Sequence, residues 1–552
     1  MTAEVTNIKC LCKDEIMQKN VKEALLLDKL FALLETNGEV MESVKHQKLN
    51  KKHYSFEELK TQNRNTENLL KAIKESRALE ARLESIFSEL SLLPIKHLKT
   101  TERLELNELF EIKSFLFSYL HLQEILQEHK LNHQHPLPDM QKMFSLLDPE
   151  GNKLPTFRIY PSYSSVLKKL TQKQFAIAKR LKEARKRDLE KAKQELGMPT
   201  LKEEFTLSRN RKEQLEAILA SKYFIVVSEG LANYNFRLAD SKEAADLKAE
   251  LHQLSIELTE EENKILCSLT TQIQNAFSNF ELAYNSAGEY AWDFCLGKFA
   301  LHYNCCLPTI TPSFEGIYLN EAVNLPLKLF LETLQRQYQP LNIAMSKKDN
   351  LITGPNMGGK STALITIGQM CILASLGIPL PAKKAKLPLY DEVYYNHDAG
   401  ENSETLSSFA REVVSLSNML LRKGNKLVLL DEFAKGTNPE EGEAICVATL
   451  KYLINSNNTI ISATHFSAPA ELAGLAHFTI KGIDEQGFKR LEKMQDSNLE
   501  TRLALLSEAM DYSLLPVSAK TEPPKCAIRI AGILGLPAEI LQQLPKEKNA
   551  QS

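Results

Sequence analysis

Eight residues constrain this chain more than any others. Gly354-Pro-Asn-Met-Gly-Gly-Lys-Ser361 fits the pattern GxxxxGK[ST]. It follows the short apolar stretch Asn350-Leu-Ile-Thr353 and precedes a helical run from Thr362. The glycines let the loop turn its N–H groups inward, and the following helix adds partial positive charge at its N-terminus. A loop of this kind belongs between a strand and a helix, so the fold expected around it is α/β with a P-loop. The pattern predicts that Lys360 reaches the β- and γ-phosphates of ATP and that the Ser361 hydroxyl ligates Mg²⁺. Gly354, Pro355, Asn356, Met357, Gly358, Gly359 and Thr362 complete the expected nucleotide cradle.

A second segment suits the same site. Lys426-Leu-Val-Leu-Leu-Asp-Glu432 is a run of apolar residues ending in two carboxylates, the pattern of a buried parallel strand that delivers acid at its C-terminal end. Asp431 is expected at the Mg²⁺ ion, and Glu432 is expected to orient or deprotonate the attacking water. Downstream, Asn438, Pro439 and Glu441 read as the N-cap, first and third positions of a helix. A further strand, Thr459-Ile-Ile-Ser-Ala463, runs into Thr464-His465-Phe466. This places His465 as a sensor of the γ-phosphate.

Glycine divides the rest of the chain. Six glycines fall in residues 1–300 and fifteen in the remainder. Glycine disfavours helix interiors and serves tight βα turns, so the first part should be mostly helical. In residues 14–90, Leu25, Leu26, Leu30, Leu33 and Leu34 read as one apolar stripe, and Leu69 to Ile86 as another. Another helix is expected over 102–130. Residues 132–161 hold five prolines and read as a connection or short hairpin. Two long helices, about 165–196 and 241–283, flank strands at Tyr223–Val227 and Tyr234–Phe236, which should make an antiparallel arm with a small β hairpin. Trp292 to Cys306 reads as an apolar helix ending at Pro308.

Charge is informative locally rather than globally. The formal net charge of −2 excludes a histone-like polycation. Yet residues 165–193 carry eleven basic and three acidic side chains, and residues 240–262 carry two and eight. Either the basic face grips phosphates or the two helices neutralise each other along their seam. The start, Met1 to Asn7, has neither a basic nor an apolar leader region, and Ala363–Ala382 contains Gln369, Pro379 and Pro381. No signal peptide and no membrane span are therefore expected. The nine scattered cysteines suit a reducing, cytoplasmic setting, with Cys10 and Cys12 as plain thiols.

The motifs together resemble the MutS family. Thr353–Thr362 looks like that family's phosphate loop residue for residue. Leu406-Ser-Ser-Phe409 is similar to its Ser-Thr-Phe segment, with Ser408 in place of Thr. Asp431-Glu-Phe-Ala-Lys-Gly-Thr437 resembles its Asp-Glu-x-x-[Arg/Lys]-Gly-Thr, and Ala463-Thr-His-Phe466 its Ala-Thr-His-[Tyr/Phe]. Residues 527–537 look like its C-terminal helix-turn-helix. An ordinary ATP-binding cassette protein would carry Leu-Ser-Gly-Gly-Gln where this chain has Leu406-Ser-Ser-Phe-Ala410.

The resemblance implies a homodimeric (or heterodimeric) ATPase with composite sites. Lys360, Ser361, Asp431, Glu432 and His465 would act in cis. Ser407 would reach the γ-phosphate across the interface, and Tyr338 would pack against adenine. The implied division is a helical core and lever (1–164), an arm like the family's clamp (165–283), a helical return (284–315) and an ATPase domain ending in the helix-turn-helix (316–552). Mismatch-repair members carry a mismatch-binding domain and a connector before the lever. Here helical periodicity begins by about residue 14, and Phe56-Glu-Glu58 matches the mismatch wedge only in letters. The sequence also ends soon after the helix-turn-helix, so the nuclease-like domain of the family's recombination-suppressing members is not expected. The expected function is therefore a dimeric, DNA-clamping ATPase that does not read mismatches. The alternative is an ATP-driven remodeller of a protein client, such as a reactivating factor for a cobalamin-dependent aminomutase.

Overall fold

The computed structural model describes residues 19–51, 53–355, 358–396, 407–492, 499–517, 527–541 and 543. Cys10, Cys12, Asn356, Met357 and Leu406 lie outside them. The chain divides into two compact units, each assembled from separate stretches: residues 1–88, 125–135 and 288–552 in one, and 89–124 and 136–287 in the other.

The first unit is α/β. Its main sheet has six strands in the order Asp511–Pro516, Ala476–Gly482, Asp349–Thr353, Thr459–Ala463, Lys426–Asp431, Glu392–Tyr395. The last five run parallel, and Asp511–Pro516 closes one edge antiparallel. The central strands are buried on both faces, which is why Leu427 to Leu430 and Thr459 to Ala463 read as continuous runs rather than alternating ones. A second, four-stranded sheet is ordered Thr309–Thr311, Lys384–Pro388, Ile317–Ala322, Leu341–Met345.

Helix Lys360–Ser375 is apolar on nearly all sides because it is packed on nearly all sides. Gly368 marks the tightest point. A Cβ there would come within 2.9 Å of Leu429 Cδ1 on the sheet and 3.0 Å of Leu25 Cδ1 on the other flank. The Gln369 side chain donates to the Leu25 carbonyl at 2.8 Å. The N-terminal segment is thus built into the core beneath the phosphate loop. Its apolar stripe is not one helix: Lys19–Ala24 and Leu27–Ala32 are separated at Leu26, whose φ is 55°. Leu25, Leu30 and Leu34 are buried, while Leu26 and Leu33 are only partly so. No helix among the described residues is long and apolar enough to cross a membrane.

The second unit contains the arm. Helix Ser165–Leu196 starts at the Ser164 N-cap and stops at Gly197, whose φ of 64° suits a left-handed cap. Helix Lys242–Asn275 returns beside it, capped by Ser241. Ion pairs Lys173–Glu250 at 3.4 Å and Arg187–Glu243 at 2.8 Å fix the antiparallel direction. The expected hairpin is a three-stranded sheet: Glu204–Ser208 joins Asn233–Leu238, which joins Phe224–Glu229. The short helix Lys212–Leu219 fills the connection. The second arm helix ends at Asn275 rather than about 283, and a new helix, Phe277–His302, absorbs both the remainder and the predicted Trp292 helix. Residues 132–161 form no hairpin among the described residues; they hold the helix Gln141–Leu147 instead.

Candidate nucleotide site

Parallel strands end on one edge of a sheet, and here that edge gathers the predicted chemistry. The register sets Asp431 beside Ala463 and Ala463 beside Ile352. The phosphate loop, the acidic pair and His465 therefore leave neighbouring strands at the same level. Gly354 and Gly359 have φ of 143° and 85°, and a Cβ on Gly358 would stand 2.8 Å from the Pro355 carbonyl. These positions require glycine, so the loop's backbone is what a ligand would meet.

Lys360 is buried, and its Nζ donates to the carbonyls of Gly354 and Pro355 at 3.0 and 3.1 Å. Burial pulls its ammonium below the usual lysine value, opposed by the charges of Glu432 and Asp431. His465 Nε2 lies 3.0 Å from Lys360 Nζ and 2.6 Å from Glu432 Oε1. One nitrogen cannot accept from lysine and donate to a carboxylate at once. With the proton on Nε2 it donates to Glu432, and the two loop carbonyls serve Lys360. Burial and the Lys360 charge hold the imidazole's pKa below its usual value, keeping it neutral near pH 7. Burial would raise Glu432, but the hydrogen bond from Lys435 and the nearby positive charges win and leave it lowered.

Asp431 is gripped by residues that the sequence reading passed over. Its N–H donates to Asn396 Oδ1 at 2.5 Å, and its carbonyl accepts from Asn396 Nδ2 at 3.1 Å. The Tyr395 hydroxyl donates to its Oδ2 at 3.0 Å. Its Oδ1 is buried with no partner among the described residues. Beside it lies a cavity of about 400 Å³ lined by Ser361, Glu412, Asp431, Glu432, Lys435 and Gly436. An exposed hydroxyl, an unpartnered carboxylate oxygen and a glycine cradle fit a magnesium–phosphate group. Among the described residues no group of three His, Cys, Asp or Glu side chains could hold a metal unaided. That is the usual situation for magnesium, which binds through one or two protein oxygens plus phosphates.

The backbone after Asp431 is strained. Glu432 and Ala434 have φ of 50° and 65°, left-handed values that cost an ordinary residue about 1 kcal/mol or more. Asn438 caps helix Pro439–Ile454 as expected, accepting from the Glu440 N–H at 3.0 Å. Ser407 is the exposed N-cap of helix Ser408–Leu421, its hydroxyl accepting from the Ala410 N–H at 3.2 Å. Tyr338 lies apart from the cavity; its hydroxyl accepts from the Asn324 N–H at 2.9 Å. The residues missed were Tyr395, Asn396 and Glu412. Only Glu412 carried a signal, lying three positions beyond the Leu406–Phe409 segment already singled out. At the C-terminus, helices Ala527–Leu534 and Ala538–Leu541 turn about Gly535.

Residues 350–548 match the family model of MutS domain V. Endonuclease MutS2 of Clostridium tetani is 30% identical over 236 residues, 42% of this chain and 29% of that protein. Endonuclease MutS2 of Clostridium botulinum is 30% identical over 227 residues, 40% of this chain and 28% of that one. The protein of the same name from Acetivibrio thermocellus is 28% identical over 224 residues. The chain thus spans under a third of the length of these relatives. The likeness to the MutS family is carried by the C-terminal part of the chain, which holds the site.

Proposed function

We propose that residues 316–552 bind ATP with magnesium and hydrolyse it, and that two copies of the chain complete each other's site. The observation that carries this is that Ser361, Asp431 and Glu432 line one cavity at the ends of adjacent parallel strands, with His465 against Glu432 and Lys360 against His465. In this reading the loop N–H groups and Lys360 hold the phosphates. Ser361 and Asp431 would hold magnesium, which would neutralise phosphate charge. Glu432 takes the proton of the attacking water. Neutral His465 donates to Glu432 and keeps its carboxylate directed. Ser407 serves the γ-phosphate of the second copy, and Tyr338 flanks adenine.

The rest follows as part of the same proposal. Residues 1–164, 165–283 and 284–315 act as lever, clamp-like arm and return, and nucleotide chemistry at the seam repositions an arm that closes on DNA without reading mismatches. The test is ATP turnover by the purified chain with homoduplex, mismatched and branched DNA, read beside its mass in solution. DNA-stimulated turnover by a dimer is expected. Full turnover by a monomer in every ligand state sinks the composite site, and turnover indifferent to all DNA forms sinks the clamp.

A further inference from the structure

The turn that carries Glu432 is held from the helix that begins at Ser407. One turn into that helix, Glu412 Oε2 accepts the Ala434 N–H at 3.1 Å. Ala434 is wholly buried, so without an acceptor its N–H would be stranded away from water. The two elements also touch through backbone. A Cβ on Gly436 would come within 3.0 Å of Ser408 Oγ and 3.5 Å of Phe409 Cβ. From the opposite side, the Ala434 carbonyl lies so close to Gly442 that a Cβ there would stand 2.5 Å away. Ala434 is clamped between two helix starts, with left-handed backbone at itself and at Glu432. Strained backbone persists only where its surroundings over-determine it. Glu412 supplies a side-chain bond that does so at Ala434.

We propose that Glu412 is a positioning residue: its bond to Ala434 sets the turn that aims Glu432 into the cavity, and so ties Glu432 to the placement of the Ser407 helix. This deepens the ATP-hydrolysis reading and rests on it. If Ser407 answers to the second copy's γ-phosphate, a shift of its helix reaches Glu432 through Glu412, and each nucleotide adjusts the base of the neighbouring site.

The experiment compares the full-length chain with Glu412→Ala, Glu412→Gln and Glu432→Gln, measuring kcat and KM for magnesium-ATP, thermal stability, and hydrogen exchange at the Ala434 amide. The amide oxygen of glutamine still accepts the Ala434 N–H; alanine cannot. Glu412→Ala should lower kcat about tenfold or more while KM stays within about twofold. Glu412→Gln should restore kcat to within about threefold of the original chain. Exchange at Ala434 should accelerate in Glu412→Ala and not in Glu412→Gln. Unchanged kcat in Glu412→Ala overturns the proposal. So does an equal loss in both Glu412 variants, which would make the charge and not the acceptor the working part. Undiminished turnover in Glu432→Gln would instead overturn the assignment of the base, and exchange at Ala434 would still decide whether Glu412 holds the turn.

Discussion

Two charged clusters in this molecule are built to opposite specifications. In the second unit, Lys113 and Asp148 form an ion pair at 3.0 Å with side chains 0% and 3% exposed. The other Asp148 oxygen accepts the Lys153 N–H at 2.8 Å, and the rings of Phe144 and Tyr160 stand 5.7 Å from the ammonium. Around the nucleotide site, Lys360, His465, Glu432 and Lys435 form an open chain. Its Lys435, His465 and Glu432 side chains are 63%, 34% and 24% exposed. Its Glu432 has left-handed backbone and follows an Asp431 oxygen with no partner among the described residues. The first cluster answers its own polar groups internally and has nothing to offer a ligand. The second leaves valences pointing at a cavity, which is what a binding site needs and a structural lock avoids.

The largest effect should come from breaking the lock. Lys113→Met strands a buried carboxylate and should cost about 3–5 kcal/mol in denaturant unfolding, whereas Lys360→Met should stay within about 1 kcal/mol because its neighbours reach water. Equal costs would erase the contrast. The same pair sets a pH dependence. Burial would raise Asp148, but the Lys153 N–H and the Lys113 ammonium outweigh it and leave its pKa below the usual 3.8. A lowered carboxylate stabilises the fold above its unfolded value and loses that contribution as pH falls through the folded one. The difference in urea midpoint between the original chain and Asp148→Asn should therefore be constant above about pH 5 and shrink in more acid solution. A gap that widens on acidification would mean that Asp148 is held neutral.

Breaking the open cluster should change rate rather than stability. Glu432→Gln keeps the size and the hydrogen-bond reach of the side chain but cannot take a proton. Turnover should fall about a hundredfold or more, with ATP binding and thermal stability retained. Since Glu432 has a lowered pKa, it is ionised throughout the neutral range, and its role is not gated by its own titration there. A rate like that of the original chain, read by single-turnover hydrolysis, would place the base elsewhere and make this cluster another lock.

The sequence made the loop, the acidic strand and His465 legible because each is signalled within a few residues. Glycine spacing, an unbroken apolar run and its terminal Asp-Glu are local facts about backbone freedom and burial. What stayed hidden depends on partners far along the chain. Glu392–Tyr395 is a strand of only four residues, and its pairing with Lys426–Leu429 brings Tyr395 and Asn396 to Asp431. Glu412 lies on a helix face that reads as solvent-exposed until Ala434 is folded against it. Glu204–Ser208, with apolar Phe205 and Leu207 among polar neighbours, becomes a strand because Asn233–Leu238 is there to receive it. The break at Leu26 is likewise set by what packs against Gly368 and Gln369, not by propensity.

The arm offers the smallest and sharpest test, because one helix carries both ion-paired and exposed cations. Arg187 pairs with Glu243, and Arg185 lies 3.0 Å from Glu203 and 3.7 Å from Asp240. Reversing those arginines would disturb the arm itself, so they report poorly on nucleic acid. Lys179, Lys182 and Lys186 are exposed and make no ion pair among the described residues; their spacing sets them along one stripe, with exposed Phe175 a turn before. If DNA lies on the arm, Lys179→Glu, Lys182→Glu and Lys186→Glu together should weaken duplex binding about tenfold or more and reduce the log–log salt slope by about 2–3. Arg187→Glu alone should do much less, since its guanidinium is already engaged with Glu243. If the triple change leaves affinity and slope untouched, the arm's charge is a matter of its own seam.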